Sequence, residues 1–224
     1  MRMKTLFASC LLAALLFAGM VTVAAEVVSF RRSYGGSVDD ITMDIYVDSN
    51  GIYTVGFTTS FGPNTPNAFL TIFNSDNSHR CSVALDLGAS DEARALTFHN
   101  NKIYMLGKTT AGSTVPNHFV AVFDTSCNLQ AIKLYDIGPG EEPTDIDVEP
   151  AASPSFYVVG YQPGIGGFVE KLDSSLNMVW AKNFKVRDVT DVANAVTFSG
   201  GRIWFNGCGW NNLHGRLHGG IWDP

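Results

Sequence analysis

A period of about fifty residues runs through the sequence and is marked by three independent sets of residues. The first set is acidic and consists of Asp40, Asp91, Glu141 and Asp191. The second set pairs an aromatic residue with a glycine three positions later: Tyr53/Gly56, Tyr104/Gly107, Tyr157/Gly160 and Trp204/Gly207. The third set closes short apolar runs at Asn74, Asp124, Asp173 and Asp223. Repetition with this period is typical of solenoids and propellers, so the sequence predicts an architecture before it predicts a function.

Each repeat contains short apolar segments separated by turn residues, which we name a, b, c and d in chain order. In the first repeat these segments are Ile41–Val47, Ile52–Thr58, Phe69–Phe73 and Ser82–Leu87. The Asn50-Gly51 pair between a and b favours a tight hairpin. The sequence has 22 glycines and 15 phenylalanines, and after residue 25 it shows no sustained helical period. We therefore predict one all-β domain over residues 26–224.

The fourth repeat ends after its c segment, whereas an additional apolar segment at 27–34 precedes the first repeat. This segment is followed by Gly35-Gly36 and then by an acid, as the d segments are. It can therefore supply the missing d strand of the last repeat. The prediction is a β-propeller of four four-stranded blades, closed by the N-terminal strand and left without exposed sheet edges. An open propeller fragment, or one completed by oligomerisation, is the alternative.

Several segments resemble the prokaryotic SBBP-type β-propeller repeat. They are Tyr34–Asp40, Val47–Gly56, Ala68–Leu70, Ile103–Gly107 and Phe156–Gly160. The likeness extends over almost all of the chain after residue 25. The resemblance implies a propeller that is exported or surface-associated, and it brings no catalytic motif. The family name implies seven blades, whereas this chain shows four repeats.

Residues 1–25 have the composition of a secretory signal peptide. Arg2 and Lys4 precede an apolar stretch, and the small residues Val23 and Ala25 occupy positions −3 and −1 of a predicted cleavage site. A retained anchor is the alternative, because spanning a membrane takes about 20 apolar residues. The expected location is secreted or cell surface, with no membrane association after cleavage.

Three cysteines follow the predicted signal: Cys81, Cys127 and Cys208. Export permits disulfides, and the odd number leaves at least one thiol free or intermolecular. Cys81 and Cys127 fall in or beside equivalent turns of successive repeats, so a bridge between them requires an approach within about 7 Å between Cα atoms. The spacing does not predict a zinc knuckle.

The four repeated acids begin the a segments and share one end of the sheets with the b–c loops. Those loops are Thr59–Asn67, Ala111–His118, Gln162–Gly167 and Gly209–Leu217. In a closed ring, Asp40, Asp91, Glu141 and Asp191 would form a circle of carboxylates suited to Ca²⁺. A residue repeated in every unit usually serves folding, so acceptance of backbone N–H groups in the turns is the favoured interpretation. No other cofactor is predicted.

The repeated aromatic residues are expected to pack each sheet against the next, with the paired glycine allowing close backbone approach. His214 and His218, near Cys208, have a spacing that suits zinc on a helix. The glycines around them favour a solvated loop instead. His79 and His118 are expected in loops, without a partner that the sequence identifies.

A formal net charge of −6, with 16% charged residues and no long basic run, argues against nucleic-acid binding. No catalytic signature appears. The sequence therefore predicts an exported binding or cell-surface structural module that holds a protein or a glycan on its b–c loop face. The alternatives are a secreted hydrolase or lyase with an axial pocket, and a surface protein that self-assembles into a homo-oligomer.

Overall fold

The computed structural model describes residues 35–62, 66–112, 116–185, 192–208 and 220–222, all within the unit Tyr34–Pro224. These residues form fifteen β-strands in four antiparallel sheets. The predicted signal at 1–25 and the predicted strand at 27–34 lie outside the described residues. So do Asp191, Asp223, His214 and His218. In the described ranges, no helix is long and apolar enough to cross a membrane.

The first three sheets are four-stranded meanders, in which strands that follow each other in sequence are neighbours in the sheet. Sheet 1 contains β1 (Asp40–Asp48), β2 (Gly51–Thr58), β3 (Asn67–Asn74) and β4 (His79–Leu85). Sheet 2 contains β5 (Asp91–His99), β6 (Lys102–Thr109), β7 (Asn117–Asp124) and β8 (Leu129–Tyr135). Sheet 3 contains β9 (Glu142–Glu149), β10 (Ser155–Gln162), β11 (Gly166–Leu172) and β12 (Met178–Phe184). The predicted a-b-c-d order is confirmed in all three.

Sheet 4 has three strands in the described part of the chain: β13 (Val192–Ser199), β14 (Arg202–Cys208) and β15 (Gly220–Trp222). These correspond to the predicted a, b and c segments of the fourth repeat. The proposed completion of this sheet by residues 27–34 stays a prediction, because those residues lie outside the described ranges.

The d strands end about two residues earlier than the sequence indicates, at Leu85 and Tyr135 rather than Leu87 and Ile137. The N–H of Leu87 donates to the carboxylate of Asp91, and the N–H of Ile137 donates to that of Glu141. These N–H groups are therefore used by the next acid and do not extend the ladder.

The third set of repeated residues caps the turn between the c and d strands. Asp124 Oδ1 accepts the N–H groups of Ser126 and Asn128, each at 2.9 Å. Asp173 Oδ1 likewise accepts those of Ser175 and Asn177, at 2.9 and 2.8 Å. A short acidic side chain at this position therefore accepts these two N–H groups of each turn, which have no backbone carbonyl to donate to.

The sheets pack one on the next, with their first strands side by side: β1 contacts β5, β5 contacts β9 and β9 contacts β13. Tyr53, Tyr104 and Tyr157 are buried in these joints. The ring centroid of Tyr53 lies 5.1 Å from that of Phe98 in sheet 2. The prediction of aromatic packing is confirmed for the three tyrosines. It is wrong for Trp204 within the single chain, where this side chain is 38% exposed.

The glycine of each aromatic pair lies opposite a β-bulge in the first strand of its sheet. A Cβ atom at Gly56 would overlap the carbonyl oxygen of Ile41, and one at Gly160 would overlap that of Glu142. The predicted close backbone approach is confirmed at both positions.

The same bulge creates a backbone requirement that aspartate side chains meet. Asp44 accepts the N–H of Ile45 in its own strand and the N–H of Leu96 in sheet 2, each at 2.8 Å. We call such a carboxylate, which bridges the first strands of two successive sheets, an aspartate clip. Asp145 forms a second clip, with Ile146 and with Val196 of sheet 4, each at 2.8 Å. Asp147 forms a third between the same two strands, with Val148 at 2.8 Å and with Phe198 at 2.7 Å.

The clips alternate along the chain. The residue that directly follows the bulge in the first strand is Asp44 in sheet 1, Ala95 in sheet 2, Asp145 in sheet 3 and Ala195 in sheet 4. The joints between sheets 1 and 2 and between sheets 3 and 4 are therefore clipped. The joint between sheets 2 and 3 has an alanine at the clip position. Burial raises the pKa of the Asp145 carboxyl to about 6, against hydrogen bonds from Val196 and Ile146 that lower it.

Replacing Asp44 by Ala is expected to reduce the free energy of unfolding by about 1–3 kcal/mol, because the N–H of Leu96 then stays unpaired at the joint between sheets 1 and 2. Denaturant-induced unfolding measures the change. Asp39→Ala is the matched control, since it removes a neighbouring exposed carboxylate. Equal losses in the two variants would contradict the clip.

A disulfide also joins sheets 1 and 2. Cys81 of β4 and Cys127 of the β7–β8 turn are bonded, with their Cα atoms 6.1 Å apart. The sequence left this bridge open. It forms because the packing of sheet 2 on sheet 1 brings the β7–β8 turn against β4, within the separation that a disulfide can span.

Replacing both Cys81 and Cys127 by Ala is expected to lower the free energy of unfolding by about 2–4 kcal/mol, since the bond closes a long loop in the unfolded chain. The sequence separation of the two cysteines is 46 residues. Denaturant unfolding with and without dithiothreitol measures the effect. Reduction should weaken the wild type by a similar amount and leave the double variant unchanged, and an insensitive wild type would contradict the prediction.

Candidate functional site

Asp40, the first of the repeated acids, holds the entry to sheet 1. Its carboxylate accepts hydrogen bonds from the N–H of Gly36 at 2.7 Å, from Ser60 Oγ at 2.8 Å and from Thr58 Oγ1. Burial acts to raise the pKa of Asp40, but these three hydrogen bonds outweigh it and lower the pKa below its ordinary value. The side chain therefore ties the segment before β1 to the end of β2.

Asp91 and Glu141 hold the entries to sheets 2 and 3 in the same way. The N–H of Leu87 donates to Asp91 at 2.7 Å, and Gly138 N–H donates to Glu141 at 3.0 Å. Both acids are fully buried. Burial raises the pKa of Asp91, although hydrogen bonds from Thr109 and Leu87 oppose the shift. This is the hydrogen-bonding role expected of an acid in a turn.

The repeated acids do not form a recognisable metal centre within the described ranges. There, no group of three or more histidine, cysteine, aspartate or glutamate side chains could hold a metal ion. Asp191, the fourth acid, lies outside these ranges. A calcium site built by Asp40, Asp91, Glu141 and Asp191 stays a prediction.

The joint between sheets 2 and 3 contains a buried triad of ionisable side chains, His118, Glu141 and Glu170. His118 Nδ1 donates to Glu141 Oε2 at 2.5 Å, and His118 Nε2 donates to Glu170 Oε2 at 3.0 Å. All three side chains are inaccessible to solvent. The His118 ring stacks on Tyr135 at 4.9 Å and on Phe168 at 5.8 Å between centroids.

The two carboxylates keep His118 charged. Burial alone would lower the pKa of the imidazole, but the hydrogen bonds and charges of Glu141 and Glu170 raise it to about 9. Glu170 Oε1 has no hydrogen-bond partner in the part of the chain that the structure describes. Because no solvent reaches these groups, the arrangement suits an ionic link between two sheets rather than turnover of a substrate.

The sequence prediction for this residue was wrong, since His118 lies within β7 and not in a loop; His79 likewise begins β4. A signal for the triad was present in the repeats. The strand registers align His118 with Ala68 and Gly167, and Glu170 with Thr71 and Ala121. Two ionisable residues thus replace small residues on c strands of successive sheets.

The free energy of unfolding is expected to fall as pH rises from about 6.5 to about 9. The folded protein retains the His118 proton over this window while the unfolded chain releases it. His118→Ala should abolish that slope. It should also cost about 3–5 kcal/mol at neutral pH, since it leaves buried carboxylates without their partner.

Chemical unfolding across a pH series measures this effect. His79→Ala is the matched control, because it removes an exposed histidine. The same slope in the wild type and in His118→Ala would show that the triad does not set the pH dependence.

A cleft of about 200 Å³ opens on sheet 1. Its lining includes one carboxylate, two aromatic rings and three hydroxyl groups: Asp40, Phe61, Phe69, Thr58, Thr71 and Ser82. The oxygens of Thr71 and Ser82 lie 3.0 Å apart.

The cleft occupies the same place on sheet 1 as the triad does on sheet 3. In the repeat, Asp40 corresponds to Glu141, Phe69 to Phe168 and Thr71 to Glu170. On sheet 3 this space is filled by the His118 ring, which the preceding sheet provides. The cleft therefore lies on the face of sheet 1 that points away from sheet 2. It corresponds to the space between sheets 2 and 3 on the equivalent face of sheet 3.

Comparisons with known proteins do not place the chain in a family. No protein-family model and no curated protein matches it. Among solved structures, it is similar to a GH43 endo-arabinanase from Bacillus licheniformis, with 12% sequence identity and a TM-score of 0.49. The match covers 85% of this chain and 83% of that one. A likeness at this level carries no functional argument, and the SBBP resemblance rests on the sequence repeats.

Proposed function

We propose that this chain is an exported β-propeller scaffold that binds a glycan or a protein through the b–c loops at one end of its sheets. Residues 1–25 direct export, and the four sheets are blades of the propeller. Residues 27–34 add the fourth strand of the last blade, either within one chain or between two copies. The location is secreted or cell surface.

The observation that carries this proposal is the way the b–c connections are anchored. The N–H of Asp91 donates to the carbonyl of Pro66 at 2.8 Å, and that of Glu141 donates to the carbonyl of Pro116 at 3.0 Å. Each of these loops thus rests on the first strand of the following sheet. A rigid base that carries loops of different sequence is the usual basis of a binding surface.

The first of these loops offers chemistry suited to a ligand. Phe61 is 44% exposed, and the half-buried Thr59 and Ser60 bring hydroxyl groups to the same connection. An aromatic ring provides a flat apolar surface for a sugar ring or a side chain, while hydroxyl groups supply hydrogen bonds. Exposed aromatics of this kind often dominate binding energy.

The full chain is expected to bind at least one ligand in a panel of soluble polysaccharides and purified surface proteins. Phe61→Ala should weaken that binding about tenfold or more, through loss of the apolar contact. Isothermal titration calorimetry in Ca²⁺ and in chelator gives both the affinity and any dependence on the repeated acids.

Leu134→Ala is the matched control, because Leu134 is an exposed apolar residue on the outermost strand of sheet 2. Equal losses in both variants, or no binding across the panel, would contradict the proposed loop surface. Release of reducing sugar from a polysaccharide would favour the hydrolase alternative instead.

A further inference from the structure

In sheets 2, 3 and 4, two apolar residues of the first strand pack against the preceding sheet. These pairs are Leu96/Phe98, Ile146/Val148 and Val196/Phe198. Sheet 1 has Ile45 and Val47 at the same positions, and they are 57% and 61% exposed. We call the surface formed by Ile45, Val47 and Phe69 the upstream face of sheet 1. It has the composition of a buried joint without the sheet that buries it.

Sheet 4 has an uncovered surface on its other side, where each earlier sheet packs against the sheet that follows it. Trp204 occupies the position at which Tyr53, Tyr104 and Tyr157 pack against the following sheet. Those tyrosines are 0%, 7% and 2% exposed, whereas Trp204 is 38% exposed. We call the surface formed by Ala195 and Trp204 the downstream face of sheet 4.

The two faces also match in their backbone hydrogen bonds. Leu96 and Val196 follow an alanine and take their N–H acceptor from the preceding sheet. Ile45 follows Asp44, which already accepts its N–H, as Asp145 does for Ile146. A sheet placed on the upstream face of sheet 1 therefore needs no aspartate at the clip position.

Sheet 4 meets that condition, because Ala195 stands at its clip position. The joint between sheets 2 and 3 has the same combination, with Ala95 opposite a strand whose own Asp145 satisfies Ile146. Packing of sheet 4 on sheet 1 would thus repeat the combination found at the bulge between sheets 2 and 3, with the N–H of Ile45 already paired by Asp44.

We propose that the downstream face of sheet 4 packs on the upstream face of sheet 1 of a second copy of this chain. Ile45, Val47 and Trp204 are exposed within one chain, so the two faces do not cover each other there. Two such contacts related by a two-fold axis close a ring of two chains, because each copy supplies one face of each kind. Trp204 then meets Val47 as Tyr157 meets Phe198, whose ring centroids are 5.8 Å apart.

The full chain is expected to have the mass of two chains in light scattering after gel filtration. Ile45→Asp and Trp204→Asp should each weaken association on the order of 100-fold, since a charge enters an apolar contact. Leu134→Asp, at a residue 50% exposed on the outermost strand of sheet 2, is the matched control and should keep the two-chain mass. A single-chain wild type at every concentration, or a series of larger masses, would overturn the proposal.

Cross-linking tests the same contact without relying on a charged substitution. The double variant Val47→Cys/Trp204→Cys should form a disulfide between chains under mild oxidation and run at twice the chain mass on a non-reducing gel. Leu134→Cys/Trp204→Cys should not. A bond formed within one chain would show that sheet 4 closes on sheet 1 of the same copy and would overturn the two-chain ring.

Discussion

The backbone N–H that follows each β-bulge is the constraint on which the stacking of sheets depends. A bulge turns this donor out of its own ladder and towards a neighbouring sheet, where an unpaired group is costly. The chain meets the requirement with one carboxylate per two sheets: Asp44 serves Ile45 and Leu96, as Asp145 serves its two partners. The fifty-residue repeat is therefore also an alternation with a period of two sheets.

The joint without a clip contains the buried ionic triad. His118 and Glu141 lie between sheets 2 and 3, where Ala95 replaces the clip aspartate. Buried charges destabilise a fold unless each has a partner, so the triad constrains which surfaces can meet at this joint. The disulfide of Cys81 and Cys127 adds a covalent link to the neighbouring joint. The sheets are thus joined by three different means on one repeated backbone, and the b–c loops stand on that base.

Local patterns predicted most of the fold, because hairpin signals such as Asn50-Gly51 and the repeated acids act over a few residues. The register of the four segments followed from the period. The sequence did not reveal the triad, since the partners of His118 are Glu141 and Glu170, and the latter is 52 residues away. It also treated Trp204 as equivalent to the tyrosines. Its environment depends on which sheet covers it, and this is a property of the assembly rather than of the repeat.

Native-state hydrogen exchange at the amides of Leu96 and Val196 tests the central claim most directly. Both N–H groups donate to a carboxylate of the preceding sheet at 2.8 Å. The clips predict that these two amides exchange only when the whole sheet array unfolds, as slowly as the central strands. Exchange at the rate of exposed loop amides would show that the aspartates do not hold the sheets together.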